Sequence, residues 1–240
     1  HDTIGYLPML TIGAICAMIG GGLITPEAAC VLFGVLPVTD AFTDADSTNL
    51  DAHNANWVFM TGGSSDDIRV YINAAVNTVI NAQRGYRWTG DTFDSNHYSL
   101  AIATVLGGGT KLGVAVRMQA ASHSLYGYYG NSGANPEMFR MDSGTKVSLG
   151  TSTGVWATND AVRINADGST ITGLLNGVTD STISGNPFTD TNYTGGSAGL
   201  TTNNSELSMR LDNWEAGNLA VAETAGGGPR TFFAMPVGFP

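Results

Sequence analysis

From residue 38 to residue 217 the sequence runs in short alternating segments cut by turn residues, a pattern that points to antiparallel β-structure. In His97–Val105, Tyr98, Leu100, Ile102 and Thr104 share one strand face. In Leu112–Met118 the corresponding set is Leu112, Val114, Val116 and Met118. In Leu207–Trp214 it is Leu207, Met209 and Leu211. Further strand-like runs occupy Trp57–Thr61, Ile68–Asn73, Val76–Asn81, Ser124–Tyr129, Glu137–Met141, Lys146–Leu149, Asp160–Ala166 and Thr170–Leu175. Asp167-Gly168 and Asn176-Gly177 carry the residue types of tight hairpin turns, and Gly107-Gly108-Gly109 marks a loop. Helical periodicity is suggested only over Pro26–Phe33, behind the helix-start signal Thr25-Pro26-Glu27. About a dozen short strands leave a sandwich or a barrel. The lack of a short internal repeat disfavours a propeller or solenoid.

The surface such strands would present is polar but weakly charged. Only 12% of residues are charged, and 32 of 240 are glycine. Lys and Arg total 10 against 20 Asp and Glu, a net charge of −10. That balance argues against nucleic acid as a partner, because phosphate neutralisation needs a basic surface. It argues equally against anionic lipid.

Two flanks differ from this middle zone. Residues 1–37 are apolar, with Met9–Ile24 uncharged. Residues 218–240 pass through Gly226-Gly227-Gly228-Pro229 into an apolar tail. A membrane span is disfavoured by Gly20-Gly21-Gly22, by Pro26, and by the absence of Lys or Arg before Arg69. The same absence removes the basic region of a signal peptide. The expected domain plan is an apolar arm (1–37), a β domain (38–217), and a linker with an apolar tail (218–240). Exposed, such flanks would form too large an apolar patch for a soluble monomer, so they are expected to be buried. Leu10, Ile12, Ile15, Ile19 and Leu23 with Phe232, Phe233 and Phe239 are the candidate interface residues. Cys16 and Cys30 both lie in the arm, and their pairing is left open.

The order of signals across 38–217 resembles a concanavalin A-like, laminin-G-like jelly roll. The resemblance rests on Val38-Thr39-Asp40-Ala41-Phe42 with Leu50 and Trp57, then Gly113-Val114-Ala115-Val116-Arg117 with Ser124-Leu125-Tyr126. It continues in Asp160–Ser169 with Asn176-Gly177, and in Gly195–Leu200 with Leu211-Asp212-Asn213-Trp214, where Trp stands for the usual Phe. It implies an all-β, antiparallel two-sheet jelly-roll sandwich carrying the two apolar extensions. Domains of this type occur in glycan-binding modules, glycoside hydrolases and bacteriophage virion proteins, so the fold alone does not choose a function.

Catalysis is not expected. Hydrolases of this fold usually place their carboxylates in an E-x-D-x-x-E pattern, and here Glu27, Glu137, Glu206, Glu215 and Glu223 are isolated. Adjacent Asp66 and Asp67 would point to opposite strand faces. Ser122-His123-Ser124 lacks a nucleophile elbow. Arg84, Tyr86, Arg87, His97 and Tyr98 make only a thin version of a lyase cluster. No cofactor is required. Ca²⁺ is the one candidate ion: jelly rolls often set first and last strands side by side, which would bring Asp40 to Asp212. For sugar stacking, Tyr126-Gly127-Tyr128-Tyr129-Gly130-Asn131 offers rings on both strand faces. The candidate glycan-binding residues are Tyr86, Trp88, Tyr128, Tyr129 and Asn131.

These readings converge on a non-enzymatic structural protein of a phage-like virion, a capsid decoration or tail component. Its partners would be copies of itself, neighbouring virion or surface-assembly subunits, and cell-surface glycan. The alternative is a secreted or cell-surface carbohydrate-binding module. Either reading puts the protein on a virion or an extracellular surface.

Overall fold

The alternating segments fold into two antiparallel sheets packed face to face. The structure is a computed structural model that describes residues 37–60, 68–78, 83–106, 111–130, 135–203 and 209–219. One sheet has ten strands: β1 (Val38–Asp40), β2 (Thr48–Asn49), β4 (Ile68–Val70), β5 (Ala75–Asn77), β7 (His97–Val105), β12 (Asp160–Asp167), β13 (Thr170–Leu175), β14 (Val178–Thr179), β15 (Phe188–Thr189) and β17 (Arg210–Asn218). Its order is β14-β13-β12-β7-β17-β5-β4-β2, with β1 on β17 and β15 on β13. The other has seven: β3 (Trp57–Phe59), β6 (Gln83–Trp88), β8 (Lys111–Met118), β9 (Leu125–Gly130), β10 (Glu137–Asp142), β11 (Thr145–Thr151) and β16 (Ser197–Asn203), in the order β11-β10-β9-β8-β16-β6-β3. A short helix, α1 (Leu50–His53), links β2 to β3. The sandwich is therefore the architecture, and the barrel is excluded.

The core between the sheets is fed by alternate residues of each strand. Val162, Ile164 and Ala166 on β12 face Leu112, Val114 and Val116 on β8 and Tyr126 and Tyr128 on β9. At one end Trp57, Trp88 and Trp214 meet with ring centroids 4.5–5.5 Å apart. Each indole N–H has an acceptor, as a buried donor requires. Trp57 donates to Asp40 Oδ2 at 2.8 Å, Trp88 to Asp91 at 2.9 Å, and Trp214 to Ser99 Oγ at 2.9 Å.

Tyr98, Leu100, Ile102 and Thr104 share a face of β7 as expected, whereas one strand face, on β8, differs from the sequence expectation. On β7 the larger set, Tyr98 to Thr104, faces outward, while His97, Ser99, Ala101 and Ala103 point into the core. Small side chains are needed there because Trp214 fills the space above Ser99. On β8, Met118 leaves the face of Leu112, Val114 and Val116. Arg117 takes a φ of +52°, and the pairing with β16 shifts register at Ser197/Gly199. A bulge of this kind flips every following side chain.

Hairpin chemistry was legible. Asn176 and Gly177 have φ of +53° and +80°, both positive as a type I′ turn demands, and join β13 to β14. Gly168, with φ +56°, begins the two-residue loop from β12 to β13. β16 follows the Gly195–Leu200 motif, and β17 runs to Asn218, beyond the expected Trp214. Pro26–Phe33, Cys16, Cys30 and all eight candidate interface residues lie outside the described residues.

The seven-stranded sheet also carries an apolar cluster on its outer face: Met60, Ala115, Met118, Leu125, Tyr129, Phe139 and Met141, each at most 1% exposed. Its second face is thus as dry as its first.

Candidate functional site

Residues two apart on a strand share a face, and Arg140 and Asp142 are so placed on β10. Arg140 donates to Asp142 through Nε and Nη2 at 2.8–3.0 Å. Tyr126 lies opposite Arg140 in the β9–β10 register. Both reach Asp190, in the loop after β15. Tyr126 Oη donates to Oδ1 at 2.6 Å, and Arg140 Nη1 donates to Oδ2 at 2.5 Å. The loop folds over this point through an Asx turn, the Asn192 N–H donating to Asp190 Oδ1 at 2.9 Å. Tyr193 then donates from its hydroxyl to Asp142 at 2.7 Å, and the Asn192 side-chain oxygen lies against the guanidinium at 3.0–3.1 Å.

A deeper arginine holds the loop. Arg117 is fully buried and donates to the carbonyls of Tyr193 (2.8 Å), Ser95 (3.0 Å) and Gly168 (2.5 Å). Its own backbone N–H donates to His97 Nε2 at 3.0 Å, while His97 Nδ1 lies 2.7 Å from the Asp94 carbonyl. Both contacts are satisfied only by a neutral ring with its proton on Nδ1. Burial is also the main cause that lowers the His97 pKa to about 4.

Charge in the outer cluster is settled by pairing. The Arg140 hydrogen bond holds the Asp142 carboxyl below the usual range. For Asp190 burial pushes upward, but hydrogen bonds from Tyr126, the Asn192 N–H and Arg140 outweigh it and the carboxyl is lowered. Arg140, bonded to both, is raised. Both carboxylates are therefore ionised at neutral pH. The cluster remains reachable, with side-chain exposures of 18% for Arg140 and 34% for Asp142. It offers fixed donors, fixed acceptors and the Tyr193 ring on one rim of the sandwich.

The sequence-predicted site residues lie elsewhere. Tyr86, Tyr128 and Tyr129 have no exposure and Trp88 has 4%. A ring without an open face cannot stack on a sugar, so these four are core residues in this fold. Trp88 belongs to the tryptophan cluster, and Tyr128 donates to Asp180 at 2.7 Å and accepts from Trp156 at 3.0 Å. Tyr128 and Tyr129 do point to opposite faces, as expected, but both faces are covered. Asn131 lies outside the described residues. The thin lyase cluster does not assemble, because Tyr86 is on the seven-stranded sheet and His97 and Tyr98 are on the other.

Asp40 and Asp212 do come near each other, since Asp40 pairs with Trp214 across β1 and β17. Partial burial raises the Asp212 carboxyl, and the Asp40 charge adds to it. Asp40 is already committed: it accepts from Trp57, His53 Nε2 (2.8 Å) and the Phe42 N–H (2.9 Å). Among the described residues no three His, Cys, Asp or Glu side chains group as a metal site.

None of Arg140, Asp142, Asp190, Asn192 and Tyr193 is among the sequence-predicted glycan-binding residues. The R-x-D and D-x-N-Y signals lie about 50 residues apart in the chain, and only the fold joins them.

The fold is that of concanavalin A-like β-sandwiches. The carbohydrate binding module CBM66 from Bacillus subtilis superposes with a TM-score of 0.53 at 11% identity, over 68% of this chain and 96% of that one. A Bacillus subtilis protein of unknown function with a galectin-like fold gives 0.48 at 8%, over 76% and 98%. Galectin LEC-6 of Caenorhabditis elegans gives 0.42 at 9%, over 61% and 96%. No protein-family model and no curated protein matches the chain.

Proposed function

We propose that the protein is a non-catalytic carbohydrate-binding module acting outside the cell, with Arg140, Asp142, Asn192 and Tyr193 as its sugar-contacting groups and the buried Asp190 holding them in place. The observation that carries this reading is the half-open arginine–carboxylate–tyrosine cluster. Sugar hydroxyls donate and accept together, and the rim presents both functions in fixed positions beside an aromatic ring. Its side chains are held by one another, so little ordering entropy remains to be lost on binding. Similarity to a protein that is itself a carbohydrate binding module supports the sequence-level alternative over the virion reading. The absence of a catalytic role is also part of the proposal. A glycosidase acid needs a carboxyl with a raised pKa, and both cluster carboxyls are lowered.

The test is a glycan array probed with the full chain, followed by calorimetric titration of the best ligand. Binding that falls at least tenfold in Arg140→Ala is expected. Binding to no glycan, or undiminished binding by a folded Arg140→Ala variant, overturns the assignment.

A further inference from the structure

The outer face of the seven-stranded sheet has a built centre. Across four strands the register aligns Gly199, Ala115, Gly127 and Phe139, and the next row aligns Gly85, Thr201, Gly113 and Tyr129. Glycine and alanine thus lower the middle of the face, and larger side chains lean over its flanks. A Cβ at Gly127 would fall 2.3 Å from the Phe139 ring, and one at Gly199 would fall 2.8 Å from Met118 Sδ. The cluster is at most 1% exposed, yet the described elements packed against its strands lie in the same sheet, in the sheet behind it, or in α1 beside β3. Nothing described forms a third layer over it.

The first and last described strands both lie in the sheet behind, and their outer ends, Val38 and Asn218, reach the edge of the sandwich at which Met118 lies. Val38 pairs with Ala216, and Asn218 pairs with His97. His97 Nε2 in turn accepts from the N–H of Arg117, the residue before Met118. Residues 1–36 emerge there with a sixteen-residue uncharged run, Met9–Ile24, that includes Gly13, Ala14 and Gly20-Gly21-Gly22. Small residues on both partners permit close approach of backbones, which maximises dispersion contact. The sheet is roughly 30 Å wide at about 4.8 Å per strand, well within reach of such a segment. The apolar C-terminal tail fits less well, being short and interrupted by Pro236 and Pro240 after Arg230.

We infer that this face is the seat of the chain's own apolar N-terminal segment, which folds back in cis as a third layer over Ala115, Phe139 and Met118. The face is then an internal contact of each chain, and neither a lectin groove nor a subunit interface.

The arm's two cysteines provide the test. Ala115→Cys is introduced into full-length chains that retain either Cys16 or Cys30, the other being replaced by Ala, and a short bismaleimide is added. Thiol addition to each maleimide needs no oxidant. The expected product is a cross-link at monomer mass, joining position 115 to the retained arm cysteine, with a yield independent of protein concentration. Met118→Cys repeats the test should Ala115→Cys prevent folding. A cross-linked dimer would assign the face to a second copy. A folded, thiol-accessible chain with no cross-link from either position would assign it to another occupant. Either result overturns the inference.

Discussion

Two carboxylate-centred clusters in this protein use similar side chains to opposite ends. Around Asp40, the carboxylate accepts from Trp57, His53 and a backbone N–H beneath three packed indoles, and its side chain is 6% exposed. Around Arg140, two carboxylates and two tyrosines meet on a rim where Asp142 stays 34% exposed. In the first cluster the carboxylate is spent on tying the entering strand β1 to α1 and β3. In the second the groups fix one another around Asp190, itself 8% exposed, while Asp142 and Arg140 still face water. Burial, rather than residue type, separates a fold-holding network from a ligand-ready one.

The contrast can be broken most forcefully at its buried end. Trp214→Ala removes the indole that touches both other tryptophans, and should cost about 3–5 kcal/mol in denaturant unfolding. Asp40→Ala strands the Trp57 N–H and a backbone N–H in the core, and should cost about 3 kcal/mol by the same measurement. A cost below about 1 kcal/mol for either would remove the basis for calling this cluster structural.

Acid provides a third test, through the His97 that steadies Arg117 and thereby the rim loop. Its pKa falls from 6.5 to about 4 on folding. Between those values the unfolded chain binds more protons than the folded one, so stability rises with pH across the window. The contribution is complete above about pH 6.5 and fades toward pH 4, reaching up to about 3 kcal/mol. Melting curves at pH 7 and pH 4.5 should differ more for the native chain than for His97→Gln. Equal differences would show that the ring does not titrate this way.

The rim should respond in the other order, with function lost before stability. Arg140→Ala is expected to lower stability by about 1–2 kcal/mol, less than Asp40→Ala, since Asp142 is open to water and Asp190 keeps its bonds from Tyr126 and the Asn192 N–H, while glycan affinity drops at least tenfold. Tyr193→Phe, which deletes only the hydroxyl donated to Asp142, should leave unfolding unchanged within about 0.5 kcal/mol and weaken binding a few-fold by calorimetry. If Arg140→Ala unfolds the protein, the two clusters do the same job and the comparison fails.

Much of the fold was legible in the chain because the signals are local. Alternation reports which residues share a strand face, and Asn176-Gly177 reports a turn because few residues tolerate two successive positive φ values. The motif order around Asp40, Arg117 and Trp214 pointed to the jelly roll. The site was hardly legible at all. Aromatic residues near Gly and Asn looked like sugar platforms, yet Tyr86, Trp88, Tyr128 and Tyr129 proved to be packing residues. The sequence cannot show that the seven-stranded sheet is dry on both faces, so it cannot tell a core tyrosine from an exposed one.

The sequence by itself determined the strand segments, the hairpin turns, the all-β class and the acidic, weakly charged surface, since each depends on neighbours a few residues away. Only the tertiary structure decided which strand face became the core, that the bulge at Arg117 would turn Met118 outward, and that Arg140 would meet Asp190. Those outcomes depend on volumes and hydrogen-bond partners supplied by distant strands, and no local pattern encodes that Trp214 fills the space above Ser99.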